Sequence, residues 1–347
     1  MNYVRQFAAI SVRYFTPHSG MEIIMIEISH LVKRYGAKFA VDDISFSVGK
    51  GEIVGFLGPN GAGKSTTMNI LTGYLSSTSG TVKVGGIDVL ESPYEAKKLI
   101  GFLPEQPPLY LDMKVDEYLN FVYDLKKCTL NRVKHLKEVC EVTKIADVRG
   151  RLIKNLSKGY RQRVGIAQAL VGNPKVLIFD EPSVGLDPKQ IIEIRNLIRN
   201  LGADHTVILS THILPEVQAV ADRIVIINQG KIVADEKTEN ITRVVEDGRK
   251  YSVKICGPQR EVLAALKDIP GVVRADAVGE RELDSFTYHI ESEPGVDVRK
   301  ALFYALAAKN WPILGLEALG MSLEDVFVKL MDADARKRST GSRPGRA

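Results

Sequence analysis

Gly58-Pro59-Asn60-Gly61-Ala62-Gly63-Lys64-Ser65-Thr66 is the stretch on which the fold turns. It fits G-x-x-x-x-G-K-[ST], a loop built to hold phosphate. The residues around it supply the setting that such a loop needs. Glu52-Ile-Val-Gly-Phe-Leu57 reads as a short buried strand, and Ser65-Thr-Thr-Met-Asn-Ile-Leu71 as the start of a helix. Gly58, Gly61 and Gly63 let successive backbone N–H groups turn toward one anion, and the helix adds its positive end. Lys64 is placed to reach the terminal phosphates of a nucleotide, and the Ser65 hydroxyl to ligate Mg²⁺.

Composition narrows the surroundings. A chain of 347 residues is long enough for two domains and a sizeable core. The formal charge is +5. Arg336, Lys337, Arg338, Arg343 and Arg346 supply that excess from the run Ala335–Ala347, which has no acidic residue, and the remainder is neutral. The folded part therefore carries no overall basic signal for nucleic acid. Cys128, Cys140 and Cys256 are far apart and odd in number, which argues against a disulfide framework or a zinc site and suits a reducing cytosol. No window approaches the roughly 18 apolar residues of a membrane span. Residues 1–20 make a poor signal peptide. They read as a dispensable extension or a stretch ahead of the true start, with a short amphipathic helix as the alternative.

Taken in order, Ile24–His30 and Ile44–Val48 read as strands of an antiparallel edge sheet flanking a polar segment that contains Tyr35. After the phosphate loop come a strand at Thr81–Val84, a Gly85-Gly86 turn and a helix at Pro93–Leu99. Helical spacing over Val115–Val148 implies two or three helices of an inserted lobe, spanning about residues 103–170. Ser157 is placed as N-cap of a helix over Arg161–Val171. Lys175–Asp180 and Thr206–His212 are apolar strands that end in polar groups, as parallel strands facing a ligand do. Arg223–Asn228 and Lys231–Ala234 form a closing hairpin. The expected core is a mostly parallel sheet with helices on both faces.

Beyond Asp235 the pattern changes to β, α, β, β, α, β and a last helix, Ser322–Met331, with a capping box from Ser322 to Asp325. That order is similar to a ferredoxin-like unit, in which Trp311 reads as a core residue. The expected boundaries are residues 1–20, an extension; 21–240, the nucleotide-binding domain; 246–334, an α+β domain; and 335–347, a basic disordered tail.

Several groups join the phosphate loop. Asp180 ends a strand where a carboxylate can serve the Mg²⁺ shell, and Glu181 can take a proton from an attacking water. His212 ends a second strand, in reach of a terminal phosphate. The set Gly58–Thr66, Leu156-Ser-Lys-Gly-Tyr160, Leu177–Glu181, Gly185-Leu-Asp187-Pro188 and His212 resembles the ATP-binding subunits of ABC transporters, over roughly Ile24–Glu236. The C-terminal segment ending in Ser322-Leu-Glu-Asp-Val-Phe327 is similar to the extension of exporter-type subunits paired with separate permeases. Leu103–Tyr110 with Ser157–Tyr160 resembles the gliding-motility and multidrug-export branch.

The resemblance implies an ATPase that drives a permease for export. Its cofactors would be ATP and Mg²⁺. Its partners would be a second copy or a homologous ATPase subunit, and an integral membrane permease that holds it on the inner face of the cell membrane. It implies that Gly58, Pro59, Asn60, Gly61, Ala62, Gly63, Lys64, Ser65 and Thr66 hold phosphate, that Tyr35 stacks on adenine, and that Lys64, Glu181 and His212 serve hydrolysis. Ser157 and Gly159 would cap ATP bound to the other copy, and Asp187 would cross between copies. Two departures stand out. Lys158-Gly159-Tyr160 replaces the usual Gly-Gly-Gln, and the metal-sensing glutamine falls at Glu105 or Gln106. The alternative from another class is a soluble nucleic-acid or translation-associated ATPase of the same type. Such factors usually carry two heads or a long coiled-coil insertion; this chain has one phosphate loop.

Overall fold

The computed structural model describes residues 23–241, 250–282, 284–293 and 295–319. The expected extension over residues 1–20, the helix Ser322–Met331 and the tail Ala335–Ala347 lie outside these residues. The chain divides into two compact units between Thr238 and Glu239.

The first unit opens with a long hairpin, β1 (Ile24–Tyr35) and β2 (Lys38–Gly49). β4 (Ser79–Val84) and β5 (Ile87–Asp88) complete an antiparallel sheet in the order β2-β1-β4-β5. Both hairpin strands run further than the sequence pattern implies, meeting at the Tyr35–Lys38 pair. The reason is local: register shifts interrupt the ladder between Ile28 and Arg34, and His30 and Asp43 sit at φ 51° and 54°. Bulges of this kind break the alternation by which a strand is read.

The second sheet is built from β3 (Ile53–Leu57), β6 (Ile100–Leu103), β7 (Val176–Asp180), β8 (Thr206–Thr211), β9 (Arg223–Asn228) and β10 (Lys231–Lys237). Its order is β10-β9-β3-β8-β7-β6, parallel except for β10. β3, β7 and β8 are buried at every position, which is why they read as unbroken apolar runs. A core cluster joins the two sheets through α1 (Lys64–Leu71): Ile26, Ile28 and Phe46 from the first, Val54, Phe56 and Ile208 from the second, and Met68 and Leu71 between. Phe46 and Phe56 stack with centroids 5.5 Å apart.

Between β5 and β6 lies α2 (Pro93–Lys98). The lobe consists of α3 (Val115–Leu125), α4 (Arg132–Val142), 3₁₀ turns at Ala146–Val148 and Ile153–Asn155, and α5 (Lys158–Leu170). α6 (Pro188–Leu201) and α7 (Leu214–Gln218) follow β7 and β8. Lys126 fixes the end of α5: its Nζ donates to the carbonyls of Gln168, Ala169 and Val171 at 3.0, 3.1 and 2.8 Å. Those carbonyls have no acceptor role within the helix. Burial pushes this ammonium down to about 8, and the three bonds are what it gains in return.

The second unit comprises β11 (Lys250–Cys256), α8 (Gln259–Lys267), β12 (Val272–Glu282), β13 (Ser285–Ser292), α9 (Arg299–Ala307) and β14 (Ile313–Leu319). Its antiparallel sheet runs β12-β13-β11-β14. This is the ferredoxin-like arrangement that the element order implies. Tyr251, Val253, Tyr288 and Ile290 from the sheet pack on Val262, Leu266, Leu302 and Leu306 from the helices, with Trp311 partly buried against them.

Lys126→Met keeps the apolar stem but leaves the α5 carbonyls without a donor. It should cost about 1–3 kcal/mol, read as a lower midpoint in urea unfolding.

Candidate active site

The phosphate loop links β3 to α1 and is held by one internal and two external backbone hydrogen bonds. Gly58 N donates to Thr211 O at 3.2 Å, Ala62 N to Pro59 O at 3.2 Å, and Gly230 N to Ala62 O at 2.9 Å. Two glycines are required by contact. A Cβ on Gly58 would lie 2.3 Å from Ile227 O. Gly63 caps α1 at φ 113°, and a Cβ there would lie 2.5 Å from Ala40 O. The first intrahelical bond runs from Thr67 N to Gly63 O at 2.9 Å. The amides of Lys64, Ser65 and Thr66 therefore have no acceptor within the helix and remain for an anion.

Lys64 is 5 % exposed. Its Nζ donates to Gly58 O at 2.8 Å and Pro59 O at 3.3 Å, and lies 3.3 Å from Glu181 Oε1. Glu181, 6 % exposed, follows the last residue of β7 at φ 50°. That conformation is uncommon for a residue with a Cβ and marks a position held by its neighbours. Its N–H donates to Ser210 O at 2.9 Å. His212 Nδ1 lies 3.0 Å from both of its carboxylate oxygens. Asp180, also buried, accepts from Ser210 Oγ at 2.6 Å.

A cleft of about 600 Å³ is lined by Tyr35, Asn60, Gly61, Gly63, Lys64, Ser65, Thr66, Glu105, Glu181 and His212. Most of the sequence-derived set thus meets in one place, with Gly58, Pro59 and Ala62 in the loop and Asp180 at the end of β7. Glu105 lines the cleft; Gln106 does not. The segment carrying Glu105 is fastened to the lobe. Gln168 Nε2 donates to Phe102 O at 2.6 Å, and the Tyr118 hydroxyl to Pro108 O at 3.2 Å. Burial pushes that phenol up to about 12, so it stays a donor.

Ser157, Gly159 and Asp187 do not line the cleft. They form a second cluster. Ser157 caps α5 by accepting from Tyr160 N, and Asp187 caps α6 by accepting from Gln190 N at 2.9 Å. Gly159 is buried against the Gln190 side chain, where a Cβ would lie 2.7 Å away. Lys158 sets its ammonium against Gly185, which sits at φ 70°. The Tyr160 hydroxyl donates to Asp147 at 2.9 Å. Sequence reasoning missed Lys38, Ala40 and Val184 in the cleft wall; Lys38 was findable as the cross-strand neighbour of Tyr35. Among the described residues no group of three or more His, Cys, Asp or Glu forms a metal cluster by itself. Burial pushes the Cys140 thiol up to about 11, which leaves it unreactive near neutrality.

A phosphate loop between a parallel strand and a helix, with a carboxylate pair at the end of the parallel strand two places along, defines a nucleoside triphosphatase. The sequence matches the family described as ABC transporter over residues 41–184. It is 30% identical over 315 residues to the bacitracin transport ATP-binding protein of Bacillus licheniformis, covering 88% of this chain and 97% of that one. It is 33% identical over 311 residues to the linearmycin resistance ATP-binding protein of Bacillus subtilis (strain 168), covering 88% and 98%. Among solved structures, a dimeric ATP-binding cassette in a post-hydrolysis state, bound to ADP and Pi, matches at a TM-score of 0.57 and 26% identity, covering 62% of this chain and 99% of that one. The chain belongs to the ATP-binding subunits of ABC transporters, and it binds and hydrolyses ATP in support of transport.

Gly63→Ala, forced to φ 113° against the Ala40 carbonyl, should weaken ATP binding by about 5–150-fold, the equivalent of roughly 1–3 kcal/mol of strain. Titration with a fluorescent ATP analogue would read it.

Proposed function

We propose that this chain works in pairs, with a second copy or a homologous subunit, and drives export through a separately encoded membrane permease. The observation that carries the reading is the split between the two clusters. Lys64, Glu181 and His212 meet in the cleft, while Ser157, Gly159 and Asp187 are grouped outside it. Residues able to cap a nucleotide that lie away from their own cleft suit a site completed by another subunit. Dimeric cassettes among the solved structures support the pairing, and relatives named for bacitracin transport and lantibiotic transport support export.

Within one site, the free amides of Lys64, Ser65 and Thr66 and the Lys64 ammonium bind the phosphates, and Tyr35 supports the adenine. Glu181 orients the attacking water and takes its proton. His212 holds Glu181 and faces the terminal phosphate. Ser65, Asp180 and Glu105 offer oxygen donors, which fit a hard cation such as Mg²⁺. When bound, that ion neutralises phosphate charge. Glu105, not Gln106, is the residue we assign to the metal-sensing position, because only Glu105 lines the cleft. In this reading residues 21–240 form the nucleotide-binding domain and residues 246–334 a separate module. The permease keeps the subunit on the cytoplasmic face of the membrane. No helix among the described residues is long and apolar enough to cross a membrane.

Glu181→Gln should cut ATP turnover by roughly 10²–10⁴-fold without weakening ATP binding; near-normal hydrolysis would overturn the base assignment. Ser157→Arg should leave ATP binding by one subunit unchanged and abolish hydrolysis. Full turnover by that variant would dispose of the shared site. Co-purification of the full chain with a membrane protein from its source would test the transporter assignment directly.

A further inference from the structure

A buried carboxylate outside the cleft sits where three segments of the site meet. Glu216, on α7, is 3 % exposed. Its Oε2 accepts from Ser183 Oγ and, at 3.3 Å, from Thr211 Oγ1. Its Oε1 lies 3.9 Å from Arg195 Nη2. Ser183 is two residues past Glu181, Thr211 directly precedes His212, and Arg195 belongs to α6, the helix that Asp187 caps. One side chain thus ties the loop behind Glu181, the strand end that presents His212 and the helix that follows the loop.

Such a carboxylate is a poor stabiliser. Its cationic partner is at the limit of ion-pair distance, and Arg195 Nε is itself buried without a hydrogen-bond partner. The carboxylate is held mainly by the two hydroxyl bonds rather than by an ion pair, and so loose a pairing is weak evidence of a stabilising role. What it supplies is position. Glu181 sits at φ 50°, with its own N–H tied forward to Ser210 O. The bond from Ser183 to Glu216 holds the chain behind it. The bond from Thr211 holds the residue before His212, whose ring must stay 3.0 Å from the Glu181 carboxylate.

We propose that Glu216 is a positioning residue, which keeps Glu181 and His212 in register by anchoring the Ser183 and Thr211 hydroxyls on one buried oxygen. The proposal rests on Glu181 being the general base. Glu216 does not line the cleft, so its removal acts on the chemical step through geometry; a misplacement near 1 Å is enough to cost about 10²-fold.

The test is steady-state ATP hydrolysis and separate ATP binding by the purified full chain. Glu216→Ala should lower kcat by about 10–100-fold, with KM and ATP affinity within about threefold of the parent. Glu216→Gln, whose amide oxygen still accepts from both hydroxyls, should recover most of that loss. If Glu216→Ala fails to fold, the double variant Ser183→Ala/Thr211→Val removes both donors, leaves Glu216 in place, and should show the same fall in kcat. A kcat within about twofold of the parent in either variant overturns the proposal, as does an equal loss of ATP affinity that Glu216→Gln does not restore. Normal hydrolysis by Glu181→Gln removes the base assignment itself. Parental turnover in Glu216→Ala beside an inactive Glu181→Gln removes only the positioning role.

Discussion

The buried pairing of Lys64 with Glu181 is the constraint on which the site depends. Two side chains of opposite charge lie 3.3 Å apart at 5 % and 6 % exposure. Burying either alone would cost several kcal/mol, so each position is tolerable only while the other is filled. The fold meets this cost with further partners: the Gly58 and Pro59 carbonyls for the ammonium, and His212 for the carboxylate. The consequence is a chemical link between phosphate binding and the base. An anion that engages Lys64 competes with Glu181 for it, and a Glu181 released from the ammonium is the group proposed to receive a proton. In the proposed mechanism, occupancy of the phosphate loop and release of the base are joined through one shared cation.

The backbone makes that pairing possible. Gly63 reverses the chain at φ 113° so that α1 begins at the lysine itself, and Glu181 turns at φ 50° so that its side chain meets the loop at the end of β7. The start of the phosphate loop and the Glu181 turn are both pinned on β8: Gly58 N on Thr211 O and Glu181 N on Ser210 O. β8 therefore serves as a gauge between β3 and β7. The residues at its end, Ser210, Thr211 and His212, touch Asp180, Glu216 and Glu181 respectively.

Much of this was legible from sequence, because the controlling signals are local. Glycine spacing, apolar runs ending in carboxylates and a serine N-cap carry their geometry with them. The remainder failed for identifiable reasons. Ile100–Leu103 is too short an apolar run to separate strand from helix, and it became a strand by pairing with β7. The helix after Asp187 was readable, with Pro188 at its first turn and Ile194, Leu197, Ile198 and Leu201 buried along one side; the stretch before it drew attention only as part of a family pattern. Glu105 and Gln106 are adjacent polar residues, and only the anchoring of Phe102 and Pro108 to the lobe decides which enters the cleft. Glu216 gave no signal, since a lone glutamate in a short helix reads as surface. Its burial follows from hydroxyls 33 and 5 residues away.

The second cluster gives the shared-site reading a mechanical basis within one chain. Asp187 caps α6, Gln190 from the first turn of α6 packs on Gly159, and Lys158 rests on Gly185. The loop from Glu181 to Asp187 thus leads from the base of one cleft to the residues proposed to cap the other. Gly159 lets the end of the Gln190 side chain come close: a Cβ there would lie 2.7 Å from it and push it aside. The Glu105 segment reaches the same helix from the other side, through Pro107 against Gly165 and Phe102 against Gln168. α5 therefore contacts both the loop, through Gly159 and Lys158, and the segment that carries Glu105, through Gly165 and Gln168. Within one chain, Lys158 is the side chain of the α5 N-terminus that comes nearest the loop, at Gly185.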